Sequence, residues 1–159
     1  MFTYFCAMHA EETVDYHLRY VWASIARMYN AEATRYNATM SIGYVLLNID
    51  KEGTPSTSLG PKMGMESTSL SRTLKRMEEQ GLIVRKKDKQ DGRMVRIFLS
   101  DLGLEMREKS RQTVIQLNNV VRENIEQEKL DVFFEVMKKL QRIFNKEEVF
   151  KRISNPKTV

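Results

Sequence analysis

Cysteine is nearly absent from this chain of 159 residues: Cys6 is its single thiol, which excludes an intramolecular disulfide framework and any cysteine-based zinc knuckle. Proline and glycine are scarce, at three and seven residues, so collagen-like and low-complexity architectures are excluded as well. No run of 18 apolar residues occurs, and no membrane-spanning helix is expected. The opening stretch, Met1 to Glu12, has no basic lead and turns acidic; no secretory signal is expected, and the reducing cytoplasm is the default compartment. What is present is 42% apolar and 30% charged, the composition of a globular chain with one ordinary core.

The net charge of +5 gains meaning once it is divided. Residues 62–98 hold ten basic side chains, Lys62, Arg72, Lys75, Arg76, Arg85, Lys86, Lys87, Lys89, Arg93 and Arg96, against five acids, Glu66, Glu78, Glu79, Asp88 and Asp91. The whole excess therefore lies in this window, and the remaining 16 basic and 16 acidic groups cancel. Gathering cations on one surface is what phosphate binding needs, because each neutralised phosphate releases condensed counterions.

The apolar spacing orders the elements. From Thr13 to about Tyr36, Val14, Leu18, Val21, Ile25 and Met28 recur at steps of four and three, which predicts one long helix. Ser41 is the expected cap of a second helix carrying Ile42, Val45, Leu46 and Ile49 and ending at Gly53. Thr54–Thr57 reads as a turn leading into a short helical piece, where Pro61 removes a hydrogen bond or confines the piece to about one turn, and Gly64 closes it. Glu66 to Gln80 is a further helix with Leu70, Leu74 and Met77 inward and Gly81 at its end. The period then changes: Leu82–Lys87 and Met94–Leu99 read as two strands of a hairpin with Asp91-Gly92 in the turn. Ser100 or Asp101 caps the next helix, to about Ile125, and a last helix from about Gln127 to Asn145 carries Leu130, Phe133, Met137, Leu140 and Phe144 as a heptad seam. The fold class expected is mainly α with a small β-hairpin: a winged helix-turn-helix lobe over 39–101, flanked by long dimerisation helices in 1–38 and 102–159. Seams on three long helices outside the middle lobe are best buried against a second copy, so a two-fold homodimer is expected.

Two stretches carry a family resemblance. The first is Leu70-Ser71-Arg72-Thr73-Leu74-Lys75-Arg76-Met77-Glu78-Glu79-Gln80-Gly81-Leu82-Ile83 with Arg85. The second is Asp88-x-x-Asp91-x-Arg93-x-x-x-Ile97-x-Leu99-Ser100-x-x-Gly103. Together, residues 41–103 resemble the MarR (multiple antibiotic resistance regulator) family of bacterial winged helix-turn-helix transcription factors. The resemblance implies a dimer formed by the first, fifth and sixth helices, and a regulator of transcription, expected to be a repressor acting on an inverted-repeat operator in double-stranded DNA. One departure stands out: Pro61 lies where the family commonly has a regular helix.

In this architecture the second helix of the motif enters the major groove. Its exposed early positions are Glu66, Ser67, Thr68, Ser69, Ser71 and Arg72; the small hydroxyls permit close approach, and Arg72 is the candidate for a bidentate contact to guanine. Lys75 and Arg76, one turn on, are expected at phosphate. Arg93 at the hairpin tip suits a minor groove, whose narrow A·T stretches have enhanced negative potential, and Lys86, Lys87 and Lys89 add phosphate attraction that ignores sequence. The resemblance implies that Asp91 pairs with Arg93 and fixes its guanidinium for insertion.

It also implies, for many members, release from DNA by a small phenolic or anionic effector. Tyr20, Trp22, Tyr29, Tyr36 and Tyr44 are the candidates to line such a pocket between lobes, although aromatic residues at helical spacing serve equally as core. Other members sense peroxides through an N-terminal Cys, which leaves Cys6 as an alternative redox sensor and equally as an inert thiol. His9 and His17 lack the acidic or cysteine company of a metal site, so neither metal nor cofactor is expected. The chain has no Gly-rich phosphate loop and no Ser/His/Asp or Cys/His constellation, so it is not expected to be an enzyme. A winged-helix module that binds protein instead of DNA remains the competing reading.

Overall fold

The computed structural model describes residues 9–88 and 91–145. The chain forms two compact units, with the boundary between Val114 and Ile115. In the first, helix α1 (Val14–Thr34) is followed by α2 (Met40–Asn48). α2 starts earlier than the Ser41 cap expected: Thr39 is in extended conformation and its hydroxyl accepts the Ile42 amide at 3.3 Å, which satisfies one of the orphan donors of the first turn. It also stops at Asn48, before Gly53, because Ile49 turns to extended backbone and enters the core.

The expected turn at Thr54 is a third strand. β1 (Thr54–Pro55) pairs antiparallel with β3 (Val95–Leu99), which in turn pairs with β2 (Ile83–Lys87), giving the order β1-β3-β2. The two-stranded hairpin expected from the sequence is thus extended by two residues, and Pro55 is tolerated because β1 is an edge. Gly53 precedes it at φ +77; a Cβ there would stand 2.6 Å from the Phe98 ring and 2.8 Å from Arg96 Cγ.

α3 (Ser56–Met63) runs for eight residues with Pro61 inside. Pro61 removes one intrahelical bond without confining the helix to a single turn, and Gly64 ends it at φ +62. α4 (Ser67–Glu79) follows. Its end is a Schellman closure: the Leu82 amide donates to Met77 O at 2.9 Å and the Gly81 amide to Glu78 O at 3.0 Å, with Gly81 at φ +70. Both apolar partners of that closure, Met77 and Leu82, are buried.

Ser100 caps α5 (Asp101–Asn124): its hydroxyl accepts the Gly103 amide at 3.0 Å and donates to Gly81 O at 2.6 Å, and its own amide donates to Leu82 O at 3.0 Å. The core joins Ile42, Val45 and Leu46 of α2 and Ile49 just after it to Leu59 of α3, to Leu70, Leu74 and Met77 of α4, to Leu82, to Ile83 and Ile97 of the sheet, and to Met106 of α5.

The second unit contains the end of α5 and helix α6 (Gln127–Phe144). Of its expected seam, Leu130 is buried, Met137 and Leu140 are half-buried, and Phe133 and Phe144 are 50% and 59% exposed. α1 likewise has no buried residue and exposes Val14, Tyr20, Val21, Trp22 and Met28.

A Cβ at Gly103 would overlap the Leu82 carbonyl oxygen, which belongs to backbone and cannot swing away. Gly103→Ala is therefore expected to destabilise the protein by about 1–3 kcal/mol through overpacking, read as a lower midpoint in thermal or urea unfolding. An unchanged midpoint would contradict the close packing described for this joint.

Candidate nucleic-acid interface

α4 divides cleanly into two faces. Leu70, Leu74 and Met77, at steps of four and three, turn into the core, and Ser67, Thr68, Ser69, Ser71, Arg72, Lys75 and Arg76 are all exposed. Glu66 occupies the N-cap without a side-chain cap bond, so the first-turn amides of α4 are left to solvent or to an anion. Arg72 makes no hydrogen bond or ion pair among the described residues, and its fork is available. Lys75 lies 3.9 Å from Glu79, an exposed pair of little strength. Arg76 donates from Nη2 to Asn37 O at 3.4 Å. The positions picked for major-groove contact thus share one outward surface of one helix.

The wing is organised by a residue that sequence reasoning missed. Asp88, the first residue of the second resemblance stretch but given no role above, is buried at the end of β2. Its Oδ2 accepts Arg96 Nε at 2.8 Å, its Oδ1 accepts the Asp91 amide at 3.2 Å, and Arg96 Nη1 reaches Gly53 O at 2.7 Å. A half-buried, charge-assisted pair of this kind is stronger than a surface ion pair. It ties the hairpin tip to the loop before β1. The contact between Asp91 and Arg93 differs from the one expected: Asp91 Oδ1 accepts the backbone amide of Arg93 at 3.0 Å, so the carboxylate shapes the turn, while among the described residues the Arg93 guanidinium has no ion pair. Arg93 is exposed at the tip.

Lys86 sits over the Phe98 ring at 5.1 Å from its centroid, Lys87 is exposed, and Lys89 lies outside the described residues. Arg85 pairs with Glu78 at 2.9 Å and links β2 to α4. The sequence signals for the Asp88–Arg96 pair were the place of Asp88 in the resemblance motif and the position of both residues in one hairpin.

A second feature of the first unit is an open-mouthed cavity of about 530 Å³, solvent at its mouth included, walled by α1, α2 and the first turns of α5. Tyr29, Tyr36 and Tyr44 line it; Tyr20 and Trp22 do not. Tyr20 is 66% exposed and stacks near Tyr16, while Trp22 lies parallel to Tyr44 with ring centroids 6.2 Å apart. Partial burial raises the pKa of both Tyr29 and Tyr44, with the neighbouring Tyr44 adding to the effect on Tyr29. Their phenols stay protonated, and so able to donate, at neutral pH. Lys109 Nζ stands 4.9 Å from the Tyr36 ring centroid, and its hydrogen bond to Glu105 at 2.6 Å raises its pKa and keeps it cationic. Of the other candidates, Cys6 lies outside the described residues, and the His17 ring nitrogen Nε2 is engaged by Glu11 O at 2.6 Å.

Known proteins resemble this arrangement. The family model described as MarR family matches residues 44–95. The organic hydroperoxide resistance transcriptional regulator of Bacillus subtilis (strain 168) is 38% identical over 66 residues, which is 42% of this chain and 45% of the relative. The match thus spans less than half of that relative's length. The crystal structure of the S. aureus MepR–DNA complex superposes with a TM-score of 0.76 at 17% identity, over 82% of this chain and 97% of that one. The structure of the PcaV transcriptional regulator from Streptomyces coelicolor with its natural ligand gives a TM-score of 0.72 at 20% identity, over 86% and 96%. Identities this low speak for the fold. Residues 44–95 thus match the MarR family model, and the chain as a whole has the winged helix-turn-helix fold of these solved structures.

Proposed function

We propose that this protein is a sequence-specific, double-stranded-DNA-binding transcriptional regulator, a homodimer that represses from an inverted-repeat operator. The observation that carries this is the outward face of α4, where hydroxyls and the unengaged Arg72 stand beside Lys75 and Arg76. In this reading, Ser67, Thr68, Ser69, Ser71 and Arg72 read bases or grip nearby phosphates. Lys75, Arg76, Lys86, Lys87 and Lys89 attract the backbone, and Arg93 enters the minor groove with its turn shaped by Asp91. The exposed apolar side chains of α1 and α6, within 1–38 and 102–159, support a second copy as the partner that buries them, since contiguous exposed apolar surface is uncommon on a monomer. The lobe over 39–101 then docks on DNA once per protomer, with half-sites about one helical turn apart. Tyr29, Tyr36 and Tyr44, with Lys109 beside them, make the cavity suited to a small phenolic or anionic effector. Repression and release by such an effector are the working mechanism.

A second reading has one observation in its favour. The B. subtilis relative is named for organic hydroperoxide resistance, and Cys6 is the chain's only thiol. If Cys6 is the sensor, an organic hydroperoxide releases the wild-type protein from DNA and leaves Cys6→Ser bound; equal responses of the two proteins dismiss this reading.

Arg93→Ala is expected to weaken binding to a selected duplex at least tenfold, about 1.4 kcal/mol, without altering the oligomeric state on gel filtration; an unchanged affinity would remove the wing from the interface. Arg72→Ala should lose about 1–3 kcal/mol and relax preference at one base pair. Wild-type affinity should fall steeply with salt, the log–log slope being about −0.9 per phosphate contact, and Lys75→Ala should make that slope shallower by about one. Salt-independent binding, or binding to protein alone, would favour the protein-interaction module instead.

A further inference from the structure

The cavity and the candidate recognition helix share one short turn. Residues 35–39 join α1 to α2, and the amides of the first four fold back on the last turn of α1: Arg35 donates to Glu32 O at 3.1 Å, Tyr36 to Ala33 O at 3.0 Å, Asn37 to Thr34 O at 3.1 Å and Ala38 to Ala33 O at 3.0 Å. Closing the turn in this way puts Asn37 at φ +52, the left-handed region that asparagine tolerates better than most residues. The Asn37 carbonyl then faces α4. It accepts Gln80 Nε2 at 2.9 Å and Arg76 Nη2 at 3.4 Å. The residues on either side of Asn37, Tyr36 and Ala38, are walls of the cavity.

Gln80 is the C-cap of α4. Its amide is only half satisfied: Nε2 has the Asn37 carbonyl, while the buried Oε1 has no hydrogen-bond partner among the described residues. The polar link between the end of α4 and the turn after α1 is thus one acceptor, set beside the apolar packing of Leu74 and Met77 on α2. Moving that acceptor costs Gln80 its remaining bond and unfastens Arg76, one of the cations on the candidate DNA face.

We propose that the Asn37 carbonyl is a latch through which bulk in the cavity sets the affinity of α4 for DNA. Gln80 and Asn37 are positioning residues in this scheme. A group wedged against Tyr36 and Ala38 shifts the peptide between them, and the carbonyl leaves Gln80 and Arg76. Gln80 at the C-cap of α4 then loses its one side-chain bond, and Arg76 its fixed direction, while the core and the closure at Gly81 keep α4 folded. The carrier in this scheme is one carbonyl, observed in its bonded arrangement, whose release is the second state that communication between sites requires. The latch rests on the DNA-binding reading above and adds how the cavity acts on it.

A double-mutant cycle tests the latch without knowledge of any effector. Gly43→Leu and, separately, Thr113→Phe add bulk from two different walls of the cavity, and Gln80→Met removes the donor at similar side-chain length. Affinity for one selected duplex is measured by fluorescence anisotropy, with circular dichroism and melting to establish that each variant is folded. The latch predicts that a filler lowers affinity about tenfold in the wild-type background and less than twofold in the Gln80→Met background. Gln80→Lys, which keeps a donor, should retain the response, and so should Asn37→Gly, because the acceptor is backbone. If Gly43→Leu does not fold, Thr113→Phe carries the same comparison. Filler and Gln80→Met effects that simply add, with wild-type binding intact, would overturn the latch alone. A wild-type protein that binds no duplex would overturn the DNA-binding reading, and the latch with it.

Discussion

The joint made by Gly81, Leu82, Ser100 and Gly103 holds the winged helix-turn-helix lobe together. Four elements converge there: the end of α4, the start of β2, the end of β3 and the first turn of α5. The Leu82 amide closes α4 and its carbonyl takes the Ser100 amide, while the Ser100 hydroxyl bridges Gly81 O to the Gly103 amide. Gly103 has no room for a Cβ against the Leu82 carbonyl, so α5 can approach the strand only with glycine at this position. Every backbone group in the joint has a partner, as buried main-chain polar groups require. The orientation of α4 relative to the wing follows from this joint, and with it the arrangement of every side chain assigned to DNA.

The same joint explains why the sequence was legible where it was. Gly81-Leu82 and Leu99-Ser100-x-x-Gly103 are the residues that the joint's chemistry demands, and they belong to the pattern that carried the family resemblance. The helices were legible for a different reason: steps of three and four put Leu70, Leu74 and Met77, or Ile42, Val45 and Leu46, on one face, and the structure buries them. Other features left no periodic trace. β1 is two residues long and ends in proline, so no alternation announced it. The left-handed turn at Asn37 depends on how α1 ends, which propensity alone does not reveal. Tyr20 and Trp22 share the helix of Tyr29 but do not line the cavity, Trp22 stacking instead on Tyr44 of its wall, and a list of aromatic residues could not separate them.

Charge was informative as a total and misleading residue by residue. The basic excess of residues 62–98 is real, but several of its members are engaged within the fold. Arg96 is held by Asp88 and Gly53, Arg85 by Glu78, Lys62 lies 3.7 Å from Asp50, and Lys86 rests on Phe98. Arg72 and Arg93 are the arginines of this block left without an ion pair or hydrogen bond from the guanidinium among the described residues. One stands on the outward face of α4 and the other at the tip of the wing. Sorting the cations in this way separates those that build the scaffold from those free to meet a phosphate or a base edge.

In the proposed function, α4 and the wing together read DNA as a symmetric pair. Hydroxyl-radical footprinting of the purified protein on a duplex selected from a random pool tests it most directly. Two protected backbone segments related by a two-fold axis and centred about one helical turn apart are expected. Each should be flanked by minor-groove protection that disappears with Arg93→Ala. A single asymmetric protected segment, or minor-groove protection that survives the loss of Arg93, would contradict it.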